Sequence, residues 1–434
     1  VFKIFSMGYS MGSGLKALNE GSKVKYFLTK NDDRFLNFVK KYMDGWGIEY
    51  ELKNKIDKDD VDDYDIFIVD DVGFNDKVPD EVRNLKYTIV GNAYADRLEM
   101  DRDFMMEESR KMGVNVGQYE EFDSLSEGIE FLKRERGQWV IKLSGDEGEI
   151  YKWTTYVAKD ENSDDLIGFM NFLAKFFKKD NIKYILQEKF NGVEVALTEV
   201  ANRYILNFEY KNFMKGSNLK TGEMGTLIKS IDRNNEIVKK SKIDDVLAFV
   251  EEKGGKYSSY FDMNMIVNED GAHLLEYTSR FGYPISDIIA GATNNVSELW
   301  YGIAKGGINN MPNGWIVGIV VNTPPSPYEF SEKEMEKLGN IVVYDDAFLK
   351  MPNGINVGIW KDGDIFRTST FGYTYLVVGI GKNIEEANKI AAERAKNVNI
   401  PLSFWRDDIG LPDIPNVKKL VEMGYLNGDE VEVK

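Results

Sequence analysis

The order of short apolar runs and helix-period segments over the first hundred residues constrains the fold more than any other feature. Val1 to Ser6 is an apolar run leading into Gly8-Tyr9-Ser10-Met11-Gly12-Ser13-Gly14, and a helical pattern follows from Leu15. Lys23 to Leu28 and Ile66 to Val69 are further short apolar runs, with the helical stretch Arg34 to Met43 between them. Strands joined through helices pair in parallel, because the crossover returns the chain to the same end of the sheet. A parallel α/β domain is therefore expected over residues 1–96. A glycine turn at a helix start offers backbone N–H groups to an anion, which makes Gly12, Ser13 and Gly14 candidate substrate-binding residues. Their spacing fits neither a dinucleotide fingerprint nor a P-loop, and a simple tight turn explains it as well.

Beyond this, a helix is expected from near Asp101 to just before Gly113. The strand Trp139 to Lys142 runs into the loop Ser144-Gly145-Asp146-Glu147-Gly148, and the helical stretch Asp164 to Lys178 precedes a strand at Lys183 to Glu188. This reads as a small α/β lid over about 113–188. Strands at Glu194 to Val200, Arg203 to Tyr210, Phe261 to Val267 and Ala272 to Thr278 supply a catalytic sheet, closing a domain at 97–312. Thr323-Pro324-Pro325-Ser326-Pro327 punctuates the chain, and strands at Asn340 to Tyr344 and Tyr375 to Gly379 suggest a separate β-rich domain over 313–434. The fold class expected is multidomain, α/β and α+β, which suits 434 residues.

Composition narrows the chemistry. The chain has no Cys, which removes disulfides and thiol nucleophiles, and its single His argues against Cys/His zinc sites and a Ser-His-Asp triad. Asp and Glu outnumber Lys and Arg by 72 to 55, and the net charge of −17 argues against a nonspecific grip on nucleic acid or an anionic membrane. No apolar stretch is long enough to span a bilayer, and Val1 to Ser6 is too short for a secretion signal, so a cytoplasmic protein is expected. Phosphoryl transfer fits the remaining inventory, since it depends on positioning and on neutralising charge.

The hairpin Phe261 to Thr278 is the most informative element. A three-residue loop with Gly271 in the left-handed position would pair Asn268 with Ala272, Asn264 with Glu276 and Asp262 with Thr278. Directly paired side chains share a face, so Asp262, Asn264, Glu276 and Thr278 become candidate ligands for Mg²⁺ or Mn²⁺; a solvated polar face is the alternative. His273, three residues from Glu276, is expected on the opposite face in a structural role. Arg280 and Lys211 are the candidate catalytic cations, though an Arg in this setting can equally be an ion-pair residue. Lys142, at the end of an apolar strand, is a candidate phosphate contact or a strand-end lysine reaching for solvent.

Taken in order, these segments resemble phosphoribosylamine glycine ligase, an ATP-grasp family, from about Val1 to Gly410. Val140-Ile141-Lys142 before a glycine loop is similar to the family's phosphate-contacting strand. Ile185 to Glu194 resembles its adenine hinge and ribose-binding Glu, which implies ATP contacts for Gln187, Glu188, Lys189, Phe190 and Glu194. Thr221-Gly222-Glu223-Met224-Gly225 is similar to its Thr-Gly-Gly-Met-Gly loop with one change. Leu275 to Pro284 resembles its Glu-Phe-Asn-x-Arg-Phe-Gly-Asp-Pro stretch, and Trp405 to Gly410 its closing Arg-x-Asp-Ile-Gly. The resemblance implies an amine-substrate domain, an ATP-grasp core with a lid, a β-rich C-terminal domain, ATP with Mg²⁺, and substrate contacts at Thr221, Gly222 and Tyr283.

The departures are specific. Thr278 stands in place of a metal-binding Asn, which Asn264 or Asp262 would have to offset. Tyr283 and Ile285 replace two acidic residues, and Asp146, Glu147 and Glu149 sit in the phosphate loop, shifting the grip on ATP to Lys152 or Arg97. A more positive, more apolar pocket beside Arg280 is expected, favouring an anionic or partly aromatic substrate over glycine plus phosphoribosylamine. The function expected is an ATP-dependent carboxylate–amine ligase acting through an acyl phosphate on small molecules, as a monomer or homodimer. The alternatives are the same mechanism on a different amine, such as another nucleotide derivative, and a non-catalytic nucleotide-binding protein.

Overall fold

The computed structural model describes residues 2–8, 10–28, 33–144, 155–217, 219–328 and 340–428. The first strands are β1 (Lys3–Met7), β2 (Lys23–Leu28), β3 (Glu49–Leu52), β4 (Ile66–Val69) and β5 (Thr88–Ile89). They form one parallel sheet in the order β3-β2-β1-β4-β5. Strands buried on both faces need apolar side chains in both directions, which is why β4 reads Ile-Phe-Ile-Val without alternation. Phe5, Phe27 and Phe67 pack on one side of this sheet, and Ile4, Tyr26 and Ile68 on the other.

The first helix begins at Met11 rather than Leu15, so Gly12, Ser13 and Gly14 are buried helical residues and not an open turn. Close packing accounts for the small side chains. A Cβ on Gly12 would fall 2.6 Å from Ile355 Cγ2, and one on Gly14 2.0 Å from the Tyr26 hydroxyl.

The segment expected as a lid contains β6 (Tyr119–Ser124), β7 (Trp139–Leu143), β8 (Tyr156–Val157) and β9 (Asn181–Glu188), an antiparallel sheet in the order β6-β9-β7-β8. Helices Leu125–Arg134 and Asp164–Phe177 cover it, and Leu125, Ile141, Leu166, Met170 and Tyr184 give it a core of its own. The expected phosphate-loop residues Gly145 to Glu149, and Lys152, lie outside the described residues. The helix Arg102–Lys111 starts where expected because the Asp101 side chain caps it, accepting from the Phe104 N–H at 3.1 Å.

The remaining strands are β10 (Val193–Val200), β11 (Arg203–Glu209), β12 (Gly225–Ile231), β13 (Phe261–Asn268), β14 (Gly271–Thr278), β15 (Trp315–Asn322), β16 (Val342–Val343), β17 (Gly354–Asn356), β18 (Ile359–Asp362), β19 (Ile365–Thr368) and β20 (Tyr373–Gly381). Eight of them make one sheet in the order β14-β13-β10-β11-β12-β15-β20-β17, while β16, β19 and β18 form a small separate sheet. Since β15 hydrogen-bonds to both β12 and β20, the division expected at 312/313 separates strands of a single sheet. One face of that sheet packs on helices Ile243–Gly254 and Ile384–Lys396, and the other shares a core with the N-terminal sheet and helix Ile285–Ala292.

Candidate active site

Alternation along β13 sets the site. Met263, Met265 and Val267 are buried in the core on one face, which directs Asp262 and Asn264 to the other. The neighbouring β10 places Thr198 beside Asp262 and Ala196 beside Asn264, and β11 continues the row with Asn207 and Glu209. On the other side, Asp262 pairs with Thr278 and Asn264 with Glu276, as the sequence suggests. The turn differs from expectation. Asn268 pairs with Gly271 rather than Ala272, and the register slips by one between Asn264 and Met265, so Leu275 is the extra residue of a β-bulge. Without that bulge the shorter turn would carry Glu276 to the wrong face. His273 consequently pairs with Ile266, two residues from Asn264, and lies on the site's face rather than opposite it. Its ring stacks on Phe190 at 4.3 Å.

The bulge also builds a contact. Lys142 reaches from β7 of the lid to the Leu275 carbonyl, with Nζ at 3.3 Å. Burial, reinforced by nearby Arg102, pulls its ammonium down to about 7. Glu276 shows the opposite balance. Burial disfavours its charge, but Lys211, Arg102 and Lys142 more than offset this and hold the carboxyl at about 2. Lys211 Nζ lies 2.8 Å from Glu209 Oε2 and 3.5 Å from Glu276 Oε1; these carboxylates overcome its desolvation and raise its pKa.

Arg102 carries no strong sequence signal, yet it faces this cluster with a buried terminal nitrogen that has no hydrogen-bond partner among the described residues. Arg97, expected as a substitute phosphate contact, is instead stacked on Phe104 and paired with exposed Asp101.

The hinge residues line two cavities. Gln187 is buried and donates to the carbonyls of Val116 at 2.9 Å and Leu274 at 3.4 Å, fastening β9 to β14. Glu188, Lys189, Phe190 and His273 border a cleft of about 590 Å³, and Glu194, Glu209 and Asn264 border a second of about 210 Å³. Glu276 Oε1 accepts from the Asn264 amide at 3.4 Å. Among the described residues no three Asp, Glu, His or Cys side chains gather as metal ligands. Glu276, Asn264 and Glu209 still suit a hard divalent cation, which commonly takes one or two carboxylates and completes its shell with phosphates and water. Asp262 is less available: it is 4% exposed, bonded to Thr198, pushed up to about 7 by burial, and packed against Gly282. Thr278 is half-buried opposite it.

The expected positive pocket beside Arg280 is corrected by two carboxylates. Arg280 Nε donates to Glu99 at 3.1 Å and lies 3.9 Å from Asp71, so its charge is already compensated. Neither acid stands out in the sequence, because both lie in the N-terminal half, far from Arg280 along the chain. Thr221 is bonded to the Lys211 carbonyl, and the Gly222 N–H donates to the Tyr373 hydroxyl at 2.7 Å. Tyr283 packs on Tyr373 with ring centres 5.0 Å apart, and its hydroxyl is buried with no hydrogen-bond partner among the described residues. Ser13 is tied to Asp287 beneath this region, so Gly12, Ser13 and Gly14 act in packing in this structure.

Residues 100–286, the lid and most of the polar sheet, match the family model of the phosphoribosylglycinamide synthetase ATP-grasp (A) domain. A phosphoribosylamine–glycine ligase from Thermotoga maritima superposes with a TM-score of 0.67 at 17% identity, covering 94% of this chain and 100% of that one. Nearly the whole chain shares the fold of that ligase, and residues 100–286 carry the ATP-grasp domain pattern. In sequence, the chain is 24% identical to the phosphoribosylamine–glycine ligase of Lactococcus lactis over 74% of this chain and 76% of that protein. It is 23% identical to the one from Methanosarcina barkeri over 76% and 77%. The ATP-grasp arrangement explains why Lys142 and Gln187 come from a lid packed against β14. No helix among the described residues is long and apolar enough to cross a membrane.

Proposed function

We propose that this protein is an ATP-dependent ligase that joins a small carboxylate to an amine through an acyl phosphate. The observation that carries this reading is the convergence of Lys142, Arg102 and Lys211 on Glu276 where lid meets sheet. Three cations around one carboxylate suit a polyphosphate, which would replace repulsion among the cations with attraction. The similarity to phosphoribosylamine–glycine ligases supports ATP as the donor and an amino acid as the carboxylate.

In the reaction, a carboxylate oxygen attacks the γ-phosphorus and ADP departs. The amine then attacks the acyl carbon, the C–N bond forms, the amine gives up a proton, and phosphate leaves. No protein nucleophile is required, consistent with a chain lacking Cys. Lys142 and Arg102 would hold phosphate oxygens, while Lys211 would follow the transferred group. Gln187 to Phe190 and Glu194 would position the nucleoside. Mg²⁺ held by Glu276 and Asn264 would supply charge neutralisation to the phosphates. The test is ADP release with glycine and other amino acids, each with and without phosphoribosylamine or another amine. Release that needs both a carboxylate and an amine supports the ligase; ATP binding without release under every pair overturns it.

A further inference from the structure

His273 is the chain's single histidine, and the hydrogen bonds around it settle which ring nitrogen carries the proton. The Asn268 amide donates to the Asn191 carbonyl at 3.0 Å, which fixes the amide oxygen on the other side. That oxygen accepts from the Asp270 N–H at 3.0 Å and lies 3.1 Å from His273 Nε2. An amide oxygen only accepts, so Nε2 is the donor and Nδ1 is left as a bare acceptor. Burial lowers the pKa of the ring below the ordinary 6.5, which keeps it neutral at neutral pH. The side chain is only 8% exposed, and Nδ1 is buried with no hydrogen-bond partner among the described residues. Leaving such an atom unmatched is costly, and a ligand donor removes the cost.

The space beside the ring narrows what that ligand is. His273 borders the cleft of about 590 Å³ together with Glu188, Lys189 and Phe190, and the Phe190 ring stacked on it at 4.3 Å holds the imidazole plane. Glu188, Glu269 and Asp270 outnumber Lys189 and Lys419 in the lining, so a polyphosphate is disfavoured here and the neutral end of a nucleotide is not. The Glu188 and Lys189 N–H groups already donate to the carbonyls of Gln118 and Gln138, both at 2.9 Å, so neither is free to read a base. A side-chain acceptor has to do so. Adenine presents an exocyclic amino donor where guanine presents a carbonyl acceptor.

We propose that His273 is the specificity-determining residue for the base: its Nδ1 accepts from the exocyclic amino group of adenine and rejects a carbonyl-bearing purine by setting two acceptors against each other. This rests on the ligase reading, in which Gln187 to Phe190 position the nucleoside, and adds how one base is told from another.

Calorimetry on the full chain with Mg²⁺ and either ATP or inosine triphosphate tests this, since the two share ribose and phosphates and differ where the amino group stands. ATP should bind about tenfold more tightly, the scale of one unmatched buried acceptor. His273→Phe keeps a ring against Phe190 and removes the acceptor, so ATP binding should weaken and the preference vanish. Because the chain holds one His, labelling its ring with nitrogen-15 gives a single Nδ1 resonance. ATP should move that resonance upfield and inosine triphosphate should not. This readout needs no variant, so it stands even if H273F does not fold. Equal wild-type affinities, a preference that survives in H273F, or an Nδ1 resonance unmoved by bound ATP would each overturn the role of His273 while leaving ATP binding, and the ligase reading, in place. Protein that binds neither nucleotide overturns both.

Discussion

Lys142, expected as a phosphate contact, has an ionisation that the sequence does not suggest. Its folded pKa of about 7 lies below the ordinary 10.5, so the ammonium is the disfavoured form inside the fold. The unfolded chain therefore binds the extra proton more tightly between these values. The penalty on stability is full below pH 7 and fades as pH rises from 7 towards 10.5. Bound ATP would bring the proton back, so ATP affinity should fall as pH rises above 7, by at most about tenfold per unit. Lys142→Gln should flatten that profile in calorimetry across pH 6 to 9 and weaken binding at pH 6; a profile as steep as the wild type would remove Lys142 from the phosphate site. Arg280 yields a second expectation. Glu99→Gln should cost about 1.5–3 kcal/mol in urea unfolding, the range for hydrogen bonds to charged groups, because Glu99 also accepts from the Ser279 N–H and hydroxyl.

At the scale of elements, the first helix packs by contact rather than by loop geometry. Gly14→Ala should lower stability by about 1–3 kcal/mol through overpacking against Tyr26, and adding Tyr26→Phe should recover part of it; thermal melts of both variants check this. A run of small residues before a helical pattern looks the same in sequence whether it is a turn or a close-packed first turn of helix, which is why the start at Met11 is not legible. The parallel order of β1 and β4 and the helix at Arg102 are legible, because apolar runs and caps are local, whereas Asn264 meets Glu276 as expected only because the shorter turn and the bulge offset each other. The bulge itself is not legible. Leu274 and Leu275 are both apolar, so nothing in the pattern tells which one stays in register. His273 is misplaced for the same reason, and the partners of Arg280 are hidden because contacts between distant segments leave no period in the chain.

For the molecule as a whole, the lid's separate core and the core shared by the N-terminal and central sheets suggest unequal stability. Hydrogen exchange should be faster in β6 to β9 than in β10 to β15, and ATP should protect β7 and β9 most. Equal exchange in both sheets without nucleotide would contradict this. The continuous sheet has a further consequence for how the protein can be made. Cutting the gene at the 312/313 boundary would strip β15 from β12 and leave each piece with a raw, hydrogen-bond-hungry strand flank. Expressed alone, either piece should precipitate. Expressed together they should find one another, since the missing strand of each is the other's edge, giving a split protein that reassembles without any added docking sequence.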